Sequence, residues 1–147
     1  MKRRIVSFAL ISCFAGLLAA SPASADDARL YATLTGAAER PGPGDPDAIG
    51  RVVILINDDA NQICAAVQFI NASLPATGMH IHFAPPTAPG PVVVPFTAPT
   101  TNQSYECRTV ANEALLDNIA ANPGQYYFNI HNQAFPGGFI RGQLQAI

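Results

Sequence analysis

Proline and glycine fall in clusters along this chain, and the clusters leave only short runs between them. Pro41, Gly42, Pro43, Gly44 and Pro46 crowd one stretch; Pro85, Pro86, Pro89, Gly90 and Pro91 crowd another. Proline fixes φ and has no N–H to give, so neither stretch sustains a helix or a central strand. The runs between are short, apolar and often alternating, the pattern of β-strands. Arg29–Gly36 sets Leu30, Ala32 and Leu34 against Tyr31, Thr33 and Thr35. Val52–Ile56 reads as a core strand, Asn57–Asn61 as a turn, and Gln62–Ile70 as the returning strand with Ile63, Ala65, Val67 and Phe69 on one face. Further strands are predicted at Met79–Phe83, Val92–Phe96, Tyr105–Arg108, Gln125–His131 and Phe139–Gln145. One helix is predicted over Val110–Ala121, where Ala111, Leu115 and Ile119 recur at helical spacing with Leu116 alongside, and Asn122-Pro123-Gly124 ends it. Strands in this number with a single helix predict an all-β domain, a two-sheet sandwich with Greek-key connections, with a barrel as the alternative.

The first 25 residues have the parts of an export signal: basic Lys2, Arg3 and Arg4, an apolar run from Ile5 to Ala20, and Ala23-Ser24-Ala25 for cleavage. The apolar run, about 16 residues, is short of the roughly 20 needed to span a bilayer, so no transmembrane anchor is expected. Leu10-Ile11-Ser12-Cys13 resembles a lipoprotein cleavage box, but Phe14, Leu17 and Leu18 keep the stretch apolar beyond Cys13. Soluble export, to a secreted or periplasmic location, is the favoured expectation. Cleavage leaves residues 26–147, which is 122 of the 147 and a normal size for one domain. Three of the eight basic residues leave with the signal, so five remain against ten acidic ones, a formal charge of −5. Nucleic-acid and polybasic membrane-surface binders need cations that this domain lacks. Its partner is then an unknown protein or small ligand.

Cys64 and Cys107 remain after cleavage. Two cysteines in a small exported domain are expected to pair, because the compartment is oxidising. The bridge would close a loop of about 43 residues, worth on the order of 4 kcal/mol on the chain-entropy model.

The chain has only three histidines, His80, His82 and His131. In Met79-His80-Ile81-His82 two imidazoles lie two residues apart, so on a strand they share a face at about 6–7 Å. Tyr127, Asn129 and His131 share a face of another strand, opposite Tyr126, Phe128 and Ile130. If the two faces meet, three imidazole nitrogens converge, a set that suits copper or zinc with a position left open. The plain alternative is histidines hydrogen-bonded to backbone or to Asn129. Catalytic patterns are thin. There is no nucleophile elbow, and Ser73 and Ser104 have no base beside them in sequence. Glu39, Asp45 and Asp47 lie in a loop and read as solvated charge. Arg141, between Ile140 and Gly142, is expected to pair with Glu39 or to bind an anion near the histidines. Asn71-Ala72-Ser73 and Asn102-Gln103-Ser104 are glycosylation sequons.

Gly78-Met79-His80-Ile81-His82, Gly90-Pro91-Val92-Val93, Tyr127-Phe128-Asn129-Ile130-His131 and Pro136-Gly137-Gly138-Phe139-Ile140-Arg141-Gly142-Gln143-Leu144 together resemble the CHRD domain, a family named from repeats in chordin. Leu34-Thr35-Gly36 with Glu39, and Gly50 before a β run, resemble its opening segment. The resemblance implies an immunoglobulin-like β-sandwich and no particular reaction. The chain departs from the family where Phe83-Ala84-Pro85 follows the histidines and where Phe139 replaces an acidic residue. A weaker likeness, in the Gly-x-His-x-His strand, is to copper/zinc superoxide dismutases, but three histidines cannot furnish that bimetallic site. The expectation is an exported binding or structural module, more a binder than an enzyme; the alternative is a copper or zinc protein built on His80, His82 and His131, with redox work as one use.

Overall fold

The computed structural model describes residues 27–147, so the expected export signal and Cys13 lie outside the described residues. The strands are β1 (Ala28–Thr35), β2 (Ile49–Asn57), β3 (Gln62–Ile70), β4 (Ala76–Phe83), β5 (Val92–Phe96), β6 (Gln103–Thr109), β7 (Tyr126–Asn132), β8 (Ile140–Gln143) and β9 (Gln145–Ala146). The helix α1 spans Glu113–Ala121. All strand pairs are antiparallel, in the order β5-β4-β7-β8-β1-β2-β3-β6, with β9 on β1. The sheet nearly closes on itself. Just past β5, the Thr97 N–H and hydroxyl both donate to the Glu106 carboxylate of β6, at 2.7 and 3.1 Å.

Alternation decides what is buried. Leu30 and Ala32 of β1 pair with Ile54 and Val52 of β2, which pair in turn with Ala65 and Val67 of β3. The other half of the sheet sends Met79, Ile81, Phe128, Ile130 and Ile140 into the same core, all fully buried. Each such side chain contributes about 1.5–3 kcal/mol by leaving water. Phe139 joins them, edge-on to Phe69 with ring centres 5.4 Å apart.

The observed elements depart from expectation where hydrogen bonds reach beyond the local pattern. Strand β4 starts at Ala76, not Met79, because Ala76 pairs with Asn132 and its N–H bonds to the Pro99 carbonyl. Helix α1 starts three residues late: the Val110 N–H is held by the Asn61 carbonyl, and the first turn forms only at Asn112. Its buried residues are Leu116 and Ile119, while Ala111 precedes it. The final strand is broken at Leu144, whose N–H turns to the Tyr126 carbonyl before β9 crosses to β1. Cys64 and Cys107 face each other in register on β3 and β6 and form the expected disulfide, with an S–S distance of 2.06 Å. Among the described residues, no helix is long and apolar enough to cross a membrane.

Candidate metal centre

With Met79 and Ile81 pointing into the core, Gly78, His80 and His82 must face outward on β4. The same alternation turns Tyr127, Asn129 and His131 outward on β7, and Arg141 and Gln143 on β8. Register then builds a polar grid: Gly78 opposite His131, His80 opposite Asn129, His82 opposite Tyr127, Asn129 opposite Arg141, and Tyr127 opposite Gln143. This face is only partly open to water, with His80, His131 and Gln143 half-buried. The loop from Ala84 to Pro91, the segment carrying Glu39 and the turn from Phe135 to Gly138 fold over it. Asn129, Arg141, His82 and Glu39 are consequently buried.

The three imidazoles converge as the strand spacing implied. Each offers a nitrogen, and these nitrogens all lie within 4.8 Å of one another. His82 Nδ1 is 2.9 Å from the Gly90 carbonyl, and His131 Nδ1 is 3.0 Å from the Pro136 carbonyl. A carbonyl only accepts, so each of these rings donates through Nδ1, and neutral His82 keeps its Nε2 lone pair free. Asn129 Oδ1 lies 3.2 Å from His131 Nε2. His80 Nδ1 and His82 Nε2 are shielded from solvent with no hydrogen-bond partner. Room for His80 comes from Gly78, where a Cβ would stand 2.8 Å from His80 Cε1. Burial, then the neighbouring His131 and His82, lower the His80 pKa to about 4. Burial also leads in lowering that of His82, opposed by its bond to Gly90. Both rings are therefore neutral donors at ordinary pH. Imidazoles tethered through one nitrogen and free at the other are the usual preparation of histidines for a metal ion.

Behind the histidines stand groups whose roles the sequence showed only in part. Glu39, expected as solvated charge, is 2% exposed. Its carboxyl is raised to about 7, chiefly by burial, against the pull of Arg141 and a hydrogen bond with Asn129. Arg141 does not form the expected ion pair with Glu39. Its Nη2 donates to the Pro85 and Ala88 carbonyls, both at 3.0 Å, and its guanidinium lies 3.4 Å from the centre of the Tyr127 ring. Burial lowers the pKa of Arg141. Tyr127 stacks on His82 as well, with ring centres 4.6 Å apart and nearly parallel planes. Gln143 Nε2 donates to the Ala84 and Gly124 carbonyls at 2.8 Å each. The roles of Tyr127 and Gln143 were missed, although their positions in alternating strands beside Asn129 and Arg141 signalled the shared face. Glu39 Oε1, Arg141 Nη1 and Gln143 Oε1 are also buried without partners.

The remaining candidates stay outside this centre. Asp45 Oδ1 accepts from the N–H groups of Asp47 and Ala48, which makes it a turn residue. Ser104 sits on β6 opposite Val67, and the Ser73 carbonyl accepts from Asn132. Asn71 and Asn102 are exposed.

Comparison with known proteins gives one match. Neither a curated protein nor a solved structure matches the chain. The model of the CHRD domain family matches residues 30–144, from the core of β1 to Leu144 and across all three histidines. The chain belongs to the CHRD domain family.

Proposed function

We propose that the mature chain is an exported CHRD binding module whose centre, formed by His80, His82 and His131, takes a copper or zinc ion. One observation carries the reading: three imidazoles offer nitrogens within 4.8 Å of one another, two of the rings being tethered at Nδ1 by backbone carbonyls. An ion at about 2.0–2.1 Å from each nitrogen needs separations of roughly 3.3–4.2 Å, so a pair as wide as 4.8 Å draws together by about 0.6–1.5 Å when the ion enters. Asn129 orients the donors, and Arg141 and Gln143 hold the Ala84–Pro91 loop over them. Export is part of the same reading, supported by the pattern of residues 1–25 and by the Cys64–Cys107 disulfide, which fits an oxidising compartment. So is a two-sheet, immunoglobulin-like Greek-key sandwich. The halves of the sheet path meet at a single β1–β8 pair, Thr35 with Arg141, and Phe69 of one half packs on Phe139 beside the other.

Calorimetric titration of the mature domain with Cu(II) and with Zn(II) tests the metal. One ion per chain is expected, and His80→Ala should weaken binding by at least about 100-fold, more than loss of an outer-shell partner. Wild-type binding no tighter than millimolar, or an unchanged affinity in His80→Ala, would overturn it. Intact-mass analysis of exported protein tests the rest: the chain should begin at Asp26 and contain no free thiol, whereas an uncleaved or acylated N-terminus counts against soluble export.

A further inference from the structure

The spacing of the ring centres bears on the shape of the coordination site as well as its place. His80 lies 5.4 Å from His82 and 5.2 Å from His131, and His82 and His131 are 6.4 Å apart. An imidazole bound through nitrogen at about 2.0–2.1 Å holds its ring centre about 3.2 Å from the ion. Three legs of a regular tetrahedron would space the centres about 5.2 Å apart, with the ion lifted out of their plane. In the observed triangle, the in-plane point equidistant from the three centres lies about 3.3 Å from each. With the rings kept at these centres, an ion at bonding distance would sit essentially in their plane. The angles there are roughly 109° and 103° on the two sides of His80 and roughly 148° between His82 and His131. The wide gap lies away from His80, on the side of its cross-strand partner Asn129.

We infer, on the basis of the metal reading above, that the ion is copper, held in a flattened T of three imidazoles with its fourth in-plane position beside Asn129. Structural zinc favours closed tetrahedra and gains nothing from a plane, whereas Cu(II) takes tetragonal sites with nitrogen and oxygen donors. The order of divalent affinities points the same way. Sulfur is not in the set: Cys64 and Cys107 are bonded to each other, and Met79 is buried on the opposite side of β4. The donors are thus those of a nitrogen–oxygen copper centre, not of a thiolate one.

Competition and spectroscopy test this together. Mature protein is given equimolar Cu(II) and Zn(II), and the bound metal is quantified after desalting. Copper should be retained over zinc by at least about 1,000-fold. Electron paramagnetic resonance should show a tetragonal Cu(II) signal split by three nitrogens, falling to two in His131→Ala with the circular dichroism of the wild type. Should that variant fail to fold, the nitrogen count of the wild type decides. Retained zinc would overturn the copper assignment, a tetrahedrally distorted copper signal would overturn the flattened T, and either would leave the metal reading standing. Failure of both ions to bind would overturn both.

Discussion

At position 78 a single hydrogen atom in place of a methyl group makes the centre possible. Gly78→Ala should push the His80 ring out of the cluster, because its Cβ would meet His80 Cε1 at 2.8 Å. The expected outcome is a folded domain with metal affinity reduced at least about tenfold, in line with losses seen when donor orientation is disturbed, and titration calorimetry checks it. Glu39 makes a prediction of the opposite kind, about stability. Its carboxyl titrates at about 7 in the fold against 4.5 ordinarily, so the native state holds the proton more tightly than the unfolded chain. That contribution is complete below the ordinary pKa and is lost as pH rises through the folded one. Glu39→Gln mimics the protonated form, so the melting temperature of the variant relative to wild type should be higher at about pH 8 than at about pH 5. A gap that stays constant or narrows would count against a buried, proton-holding Glu39. His80 and His82 were legible as a pair because their period of two survives any β register, whereas the arrival of His131 depends on the pairing of β4 with β7. Glu39 was not, since its burial depends on a proline-rich segment folding across strands remote in sequence.

Between residue and fold, the loop from Ala84 to Pro91 has its own energetics. It is held by the Arg141 guanidinium at two carbonyls, by His82 at a third, by Gln143 at Ala84, and by the Gly90 N–H donating to the Tyr127 hydroxyl at 3.3 Å. Arg141→Lys keeps the charge but loses the planar fork and the stack on Tyr127. Amide exchange across residues 84–91 should quicken, and metal affinity should fall about 10–100-fold as His82 loses its tether. Protection equal to wild type would show that the loop stands without Arg141. Sequence showed this stretch as a loop because prolines forbid anything else, yet it could not show that buried side chains hold it down. The strands were legible for the converse reason: their alternation is local, and Leu30, Ala32, Leu34, Ile63, Ala65, Val67 and Phe69 are all buried as the pattern required. The helix start was misread because the Val110 N–H is claimed by Asn61, a partner that local periodicity does not reveal.

For the molecule as a whole, the cysteine pairing was fixed by number, whereas the order of strands was not. The single β1–β8 pair and the crossing of β9 to β1 depend on contacts between the two ends of the chain. Replacing Cys64 and Cys107 with serine should cost about 2–4 kcal/mol, read as a lower denaturant midpoint. The bridge and the histidines lie on outward faces of different parts of the sheet, Cys64 beside core-facing Ile63 and Ala65, His80 beside core-facing Met79 and Ile81. Side chains so separated by a packed interior share no neighbour through which one loss could deepen the other. A reductant and a chelator should therefore weaken the domain by independent amounts, and the two applied together should lower its stability by their sum.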